Sequence, residues 1–235
     1  MKILKAYTLL LIVVILSFYA WNNLFISKRT FHVKSFNSMS IGGNVKVFIK
    51  HGEKEEITIR TEDSKHVTIL PEVINGQLMI CSPNCNTNLR VAEIEVTYVT
   101  LDSINLSGVS ELTSRGTLKT GHFWLEVSGA SETKLLIESQ HVFLRMHDAA
   151  NVQLAGQSDQ FDLYIDHVGD LMAYNFLTKD TQAVIVTMPQ SPGVARINVR
   201  ENLDATIEGP RILKFKGDAI IRRQKLSKGG RLSRQ

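Results

Sequence analysis

Two short segments hold the side chains best suited to chemistry: His147-Asp148 and Asp166-His167, in mirrored order and one repeat apart. Imidazole and carboxylate groups are ligands for a divalent ion such as zinc. A histidine beside a carboxylate also titrates near physiological pH. If the segments lie side by side, His147 meets Asp166 and Asp148 meets His167. The result is either a metal site or crossed ion pairs on an exposed corner. These four residues are the candidate metal ligands, and no other cofactor is expected. Cys81 and Cys85, in ICSPNC, are either a small disulfide loop in an oxidising compartment or free thiols. Glu111, Glu132, Asn151 and Asp170 recur at one repeat position. That column forms an acidic stripe, either a cation or sugar contact or a solvated face. The sequence lacks H-E-x-x-H, G-x-S-x-G, Walker A and G-x-G-x-x-G patterns. No carboxylate pair can be given acid and base roles. No catalytic residue is therefore assigned, and the chain is expected not to be an enzyme.

The elements that must position these residues are strands. VKVFI (45–49), EITIRT (56–61) and EIEVTYV (93–99) alternate apolar and polar residues. From residue 101 a repeat sets in: INLSGVSEL (104–112), LEVSGASET (125–133), LRMHDAANV (144–152) and LYIDHVGDL (163–171), with a weaker echo at ATIEGPRIL (205–213). A period near 20 residues implies a solenoid whose turns bury their apolar faces against one another. The first, third, sixth and ninth repeat positions are expected to point inward. The sixth is Val109, Ala130, Ala149 and Val168. The second position, Asn105, Glu126, Arg145 and Tyr164, is expected outside, with Glu126 and Arg145 as a surface pair. Positions four and five form a corner where glycine relieves backbone strain. Trp124, Phe143 and Tyr164 share no single column, so a continuous aromatic platform for sugars is not expected. Asn105-Leu106-Ser107 matches a glycosylation acceptor, which repeat grammar also explains.

Charge divides the chain into three. Residues 1–34 carry a net +5, residues 35–210 a net −9 and residues 211–235 a net +8, for +4 overall. The basic pI belongs to the ends, so no nucleic-acid partner is expected. Residues 6–21 are uncharged and mostly apolar, and the run reaches residue 26 across an Asn pair. That length suits one membrane helix; a cleaved signal peptide followed by secretion is the alternative. The expected organisation is a basic start (1–5), a transmembrane signal anchor (6–26), a linker (27–35), a β-domain (36–220) and a basic disordered tail (221–235). The expected setting is the inner membrane, with the domain in the periplasm or outside the cell.

At this point the chain resembles a known family, the auto-transporter adhesin head domain, or GIN domain. The resemblance rests on FNSMSIGGNVKVFIKHGEKEEITI (36–59), INGQLMI (74–80), the turns INLSGVS and LEVSGAS, and NLDATIEGPRILKFKGD (202–218). It covers about residues 36–220; the later turns depart, with HDAA and DHVG in place of SGAS. It implies an all-β, right-handed parallel β-helix, bacterial and exported, and it brings no catalytic residues. The expected function is a non-catalytic binding, adhesion or scaffold module at the cell envelope. Its partner is an envelope glycan or protein, and a homo-oligomer is open. A polysaccharide-cleaving β-helix enzyme and a partner-docking structural or regulatory component are the rivals. Asp and Arg on adjacent turns of a groove would favour the enzyme, flat faces would favour binding, and an uncapped apolar end turn would favour docking.

Overall fold

The computed structural model describes residues 27–61, 69–80, 92–187 and 193–235. Residues 6–26, Cys81 and Cys85 lie outside them, so the anchor and the disulfide are not addressed by the fold. Among the described residues every regular element is a strand, and no helix is long and apolar enough to cross a membrane.

The centre is a parallel β-solenoid of about six turns. Four long strands form it: β9 (Glu111–Val127), β10 (Glu132–Met146), β11 (Asn151–Asp166) and β12 (Asp170–Val186), followed by β13 (Gly193–Glu208). Each pairs in parallel with the next. The expected register holds residue for residue. Ile104 faces Leu125, then Leu144 and Leu163, and the column runs on through Ala183 to Ala205. The third-position column, Leu106, Val127, Met146 and Ile165, continues into Ile185 and Ile207. All of these side chains are buried. Each buried leucine or isoleucine contributes roughly 1.5–3 kcal/mol, so stacking the columns is the main source of stability. Large and small residues alternate along Phe123, Val142, Phe161, Thr181 and Leu203. Gly156 lies opposite Phe176, whose ring meets that of Phe161 edge-on at 5.4 Å.

The sixth-position column corrects the sequence reading. Val109 is 60% and Val168 50% exposed, and Ala130 and Ala149 are exposed as well. The seventh column, Ser110, Ser131, Ala150 and Gly169, turns inward instead. The cause is the fifth residue. Gly108, Gly129, Asp148 and His167 all have positive φ, at 82, 73, 56 and 65°. One left-handed residue breaks the alternation of an extended chain and shifts its inward face by one.

The two ends differ. At the first end, β2 (Ser38–Ile41) and β3 (Val45–His51) make one turn. It lies between β6 (Gln77–Ile80) with β7 (Ala92–Tyr98) on one side and β8 (Ser103–Leu106) with β9 on the other. The stacking order there is not the chain order. Antiparallel strands close that end: β4 (Glu56–Thr61) on β7, β1 (Ser27–His32) on β4, and β5 (Glu72–Ile74) on β6. Residues 36–100 therefore supply both solenoid turns and a cap. Part of the expected linker, 27–35, is the strand β1. The expected disordered tail, 221–235, is also a correction. It continues the stack as β15 (Ile220–Ser227) on β13 and β16 (Arg231–Arg234) on β14 (Arg211–Lys216). Parallel backbone pairing with a preceding turn orders this segment despite its charge.

Candidate functional site

The outer face of the sheet that carries the first three repeat positions holds two adjoining groups of functional side chains. The first is aromatic. Trp124 and Phe143 are cross-strand partners, stacked with ring centroids 5.3 Å apart and planes 25° apart. His141 stacks on Phe143 at 3.8 Å, and its Nε2 lies 3.0 Å from Asp162 Oδ2. Arg145 sits over the Tyr164 ring at 5.2 Å. Trp124, Phe143, Arg145, Asp162, Tyr164 and Gln182 line a shallow cleft of about 260 Å³. Trp124 is 45% exposed at its rim.

The three aromatic residues share no single column, as the repeat predicts, yet two of them do pair. Trp124 and Phe143 share a column, the one just before the first repeat position: Ser103, Trp124, Phe143, Asp162, Gln182. Both precede the inward leucines Leu125 and Leu144 by one residue. Extending the alignment one place toward the N-terminus would have shown it. Tyr164 stands one outward column further along the strand and completes the wall.

The second group is the His–carboxylate corner. Asp166 bridges two imidazoles: Oδ2 lies 2.6 Å from His147 Nδ1, and Oδ1 lies 2.8 Å from His167 Nδ1. His147 Nε2 reaches Glu126 Oε1 at 3.4 Å. The His147–Asp166 contact is the one the repeat register requires. Asp148 does not join, because its carboxylate accepts the Gly129 amide of the preceding turn at 3.2 Å. The hydrogen bond that the His167 ring donates to Asp166, aided by the charges of Asp166 and Asp148, raises the pKa of His167 above its ordinary value. No group of three or more His, Cys, Asp or Glu among the described residues is placed to hold a metal ion. Both Nδ1 atoms face the Asp166 carboxylate, and Asp148 accepts the Gly129 amide. The corner thus brings Glu126, His147, Asp166 and His167 into one chain of contacts between 2.6 and 3.4 Å.

The acidic column and the Glu126–Arg145 pair are placed nearby. The acidic column aligns as read, with Glu132 between Glu111 and Asn151, and Asn151 beside Asp170. All four residues are exposed; Lys46 pairs with Glu111 at 3.0 Å, and Asp170 accepts the Val194 amide at 3.0 Å. Glu126 and Arg145 are register partners but form no ion pair. Glu126 turns to His147 and Asn105, and Arg145 to Tyr164.

Sequence inspection passed over Arg211. It is 0% exposed and donates to the carbonyls of His167, at 2.9 Å, and of Gly169. Asp170 lies 3.6 Å away. Burial lowers its pKa, and Asp170 opposes that shift. Nothing in ATIEGPRIL marks this arginine as internal; only the stacking of its turn above the 167–169 corner does.

No curated protein matches the chain. Solved structures share the fold. A "putative adhesin" from Bacteroides fragilis superposes with a TM-score of 0.77 at 21% identity, over 89% of this chain and 97% of its own. A "putative adhesin" from Parabacteroides distasonis gives 0.70 at 16%, over 88% and 96%. A "putative lipid binding protein" from the same species gives 0.67 at 14%, over 89% and 96%. Residues 35–219 match the family described as "putative auto-transporter adhesin, head GIN domain", and the chain, with its solenoid turns and S-G-x-S corners, belongs to that family.

Proposed function

We propose that this protein is an exported, non-catalytic binding module of the cell envelope, a right-handed β-solenoid held at the membrane by residues 6–26. Its binding face is the cleft of Trp124, Phe143 and Tyr164. The observation that carries this is the stacked Trp124–Phe143 pair standing in solvent beside Asp162, Gln182 and Arg145. A solenoid gains nothing in its core from an exposed indole. A pyranose stacks its C–H face on such an aromatic surface and hydrogen-bonds through its hydroxyl groups to the planar polar groups beside it. An envelope glycan is therefore the ligand class that fits. The family assignment agrees with an adhesion-like role.

The test is retention of the chain on immobilised envelope polysaccharides. Trp124→Ala should weaken binding at least tenfold, and Asp162→Asn several-fold, with the melting temperature unchanged. Equal retention of all three proteins would remove the cleft as the binding face.

One observation favours a second reading. Arg145 and Asp162 come from adjacent turns and line the same cleft, the arrangement a polysaccharide-cleaving enzyme would need. Against it, Asp162 is engaged by His141 and Arg145 by Tyr164, and no second carboxylate lines the cleft. Release of reducing ends from a bound glycan, lost in Asp162→Asn, would establish the enzyme.

A further inference from the structure

The last turn of the solenoid ends in a surface of unusual composition. β15 pairs with β13 on one side only, and β16 with β14 on one side only. Residues 220–235 carry Arg222, Arg223, Lys225, Lys228, Arg231 and Arg234 and no acid. Lys228 is paired with Glu208, and Arg234 bonds the Ala219 carbonyl and covers the Phe215 ring. Arg222, Arg223, Lys225 and Arg231 make no ion pair among the described residues. Between these cations stand aliphatic side chains. Ile220 is 69% exposed, and Ile221 and Leu226 are half-exposed. Leu226 continues the inward column of Ile207, and among the described residues no strand stacks above it.

Cations and a bulge on an edge strand ordinarily guard it against pairing with another strand. Both are present, because the register slips at Arg222 between Leu203 and Asp204. Such a guard explains the arginines but not the isoleucines, which work against it. Like charge also opposes burial of this end against a second copy. The opposite end offers no better match, since its outermost strand, β1, carries Lys28 and Arg29. A flat surface that is negative at its face and apolar just beneath satisfies both residue types at once. Cations sit at lipid headgroups while aliphatic side chains enter the interface.

We propose that the terminal turn, β15 with β16, is a docking surface for an anionic lipid bilayer, with Arg222, Arg223 and Lys225 at the headgroups and Ile220, Ile221 and Leu226 inserted. β15, which carries these residues, lies nine ladder steps from β1, about 43 Å at the usual strand spacing. Arg222 borders a groove that shares Asp162 and Gln182 with the aromatic cleft, whereas Arg223, Lys225 and the three aliphatic residues line neither, and the proposal does not depend on the glycan reading.

The full chain, reconstituted into phosphatidylcholine nanodiscs so that residues 6–26 have a lipid environment, is titrated with a second population of vesicles. Wild type should bind vesicles containing phosphatidylglycerol and not those of phosphatidylcholine alone, and should release them at high salt. Each surface cation is worth about five-fold, so Arg222→Gln/Arg223→Gln/Lys225→Gln should lose on the order of 100-fold. Ile220→Ser/Leu226→Ser, which keeps every charge, should lose about tenfold or more. Lys28→Gln/Arg29→Gln at the other end should bind like wild type. These residues are exposed, so unchanged circular dichroism is expected throughout. The proposal falls if the charge variant binds like wild type, or if the loss follows Lys28 and Arg29. It falls equally if the serine variant binds undiminished while soluble polyglutamate competes as well as vesicles, which would make the end a site for an acidic polymer.

Discussion

Two corners of the same solenoid solve one problem in different ways. At 107–110 and 128–131 the sequence is S-G-x-S, and the second serine is buried. Ser110 Oγ donates to the carbonyls of Ser107 and Gly43, and Ser131 Oγ to those of Ser128 and Gly108. Each turn thus satisfies its own corner carbonyls and those of the turn beside it. At 147–150 and 167–169 the serine is replaced by Ala150 and Gly169, and the glycine by Asp148 and His167. The carbonyls at 167 and 169 then receive Arg211, sent back from a strand more than 40 residues later. One local hydroxyl per turn is robust and repeatable. A single arginine serving a whole corner concentrates the dependence in one side chain, because a buried polar group left without a partner costs far more than the bond gained. What the second arrangement frees is the outer corner position, now occupied by His147, Asp166 and His167.

The largest expected effect follows from that concentration. Arg211→Met should leave two buried carbonyls unpaired and cost about 3–5 kcal/mol. In thermal unfolding this corresponds to about 10 °C for a chain of this size. Hydrogen exchange should localise the loss to 167–169. A uniform loss across all turns would show that Arg211 is not specific to its corner. Gly129→Ala comes next. Its Cβ would overlap the Gly108 carbonyl oxygen, and φ is +73°. A cost of about 2–4 kcal/mol is expected in denaturant titration. Asp148→Gly, at the same corner position one turn on, should be within about 1 kcal/mol of wild type, since relieved strain offsets the lost bond to Gly129. Equal damage at both positions would erase the distinction between the corners.

Smaller effects sharpen it. Ser131→Ala should cost about 1–2 kcal/mol through its two lost hydrogen bonds. Ala150→Ser should restore the local staple and stabilise by about 0.5–1 kcal/mol, read as a higher denaturation midpoint. The smallest effect is a pH dependence. The pKa of His167 is raised in the folded state. Its contribution is therefore complete below its unfolded pKa and disappears as pH rises through the folded value. Melting temperatures of wild type and His167→Asn should differ most in mild acid and converge in mild alkali. A gap that widens toward alkali would reverse the sign and remove Asp166 as its partner.

Much of this architecture was legible in the sequence because a parallel solenoid writes its contacts as a period. Ile104, Leu125, Leu144 and Leu163 stack because each lies one turn from the last, so the aligned columns were already the contact list. The same arithmetic placed His147 against Asp166. It failed at Val109 and Val168, where alternation was carried across a left-handed residue that breaks it. The aromatic pair escaped because the alignment started one residue too late. The tail was misread because its charge suggests disorder, whereas its backbone has a strand edge to join.

The sequence by itself determined the period, the first, third and ninth inward columns, the corner glycines and the family, since all of these are fixed by residues one turn apart. Tertiary structure alone decided the order of turns at 36–100, the antiparallel cap and the burial of Arg211. It also settled the choice of Glu126 between Arg145 and His147. Those outcomes depend on pairings at irregular separations, where competing partners differ by little energy and only the assembled geometry selects among them.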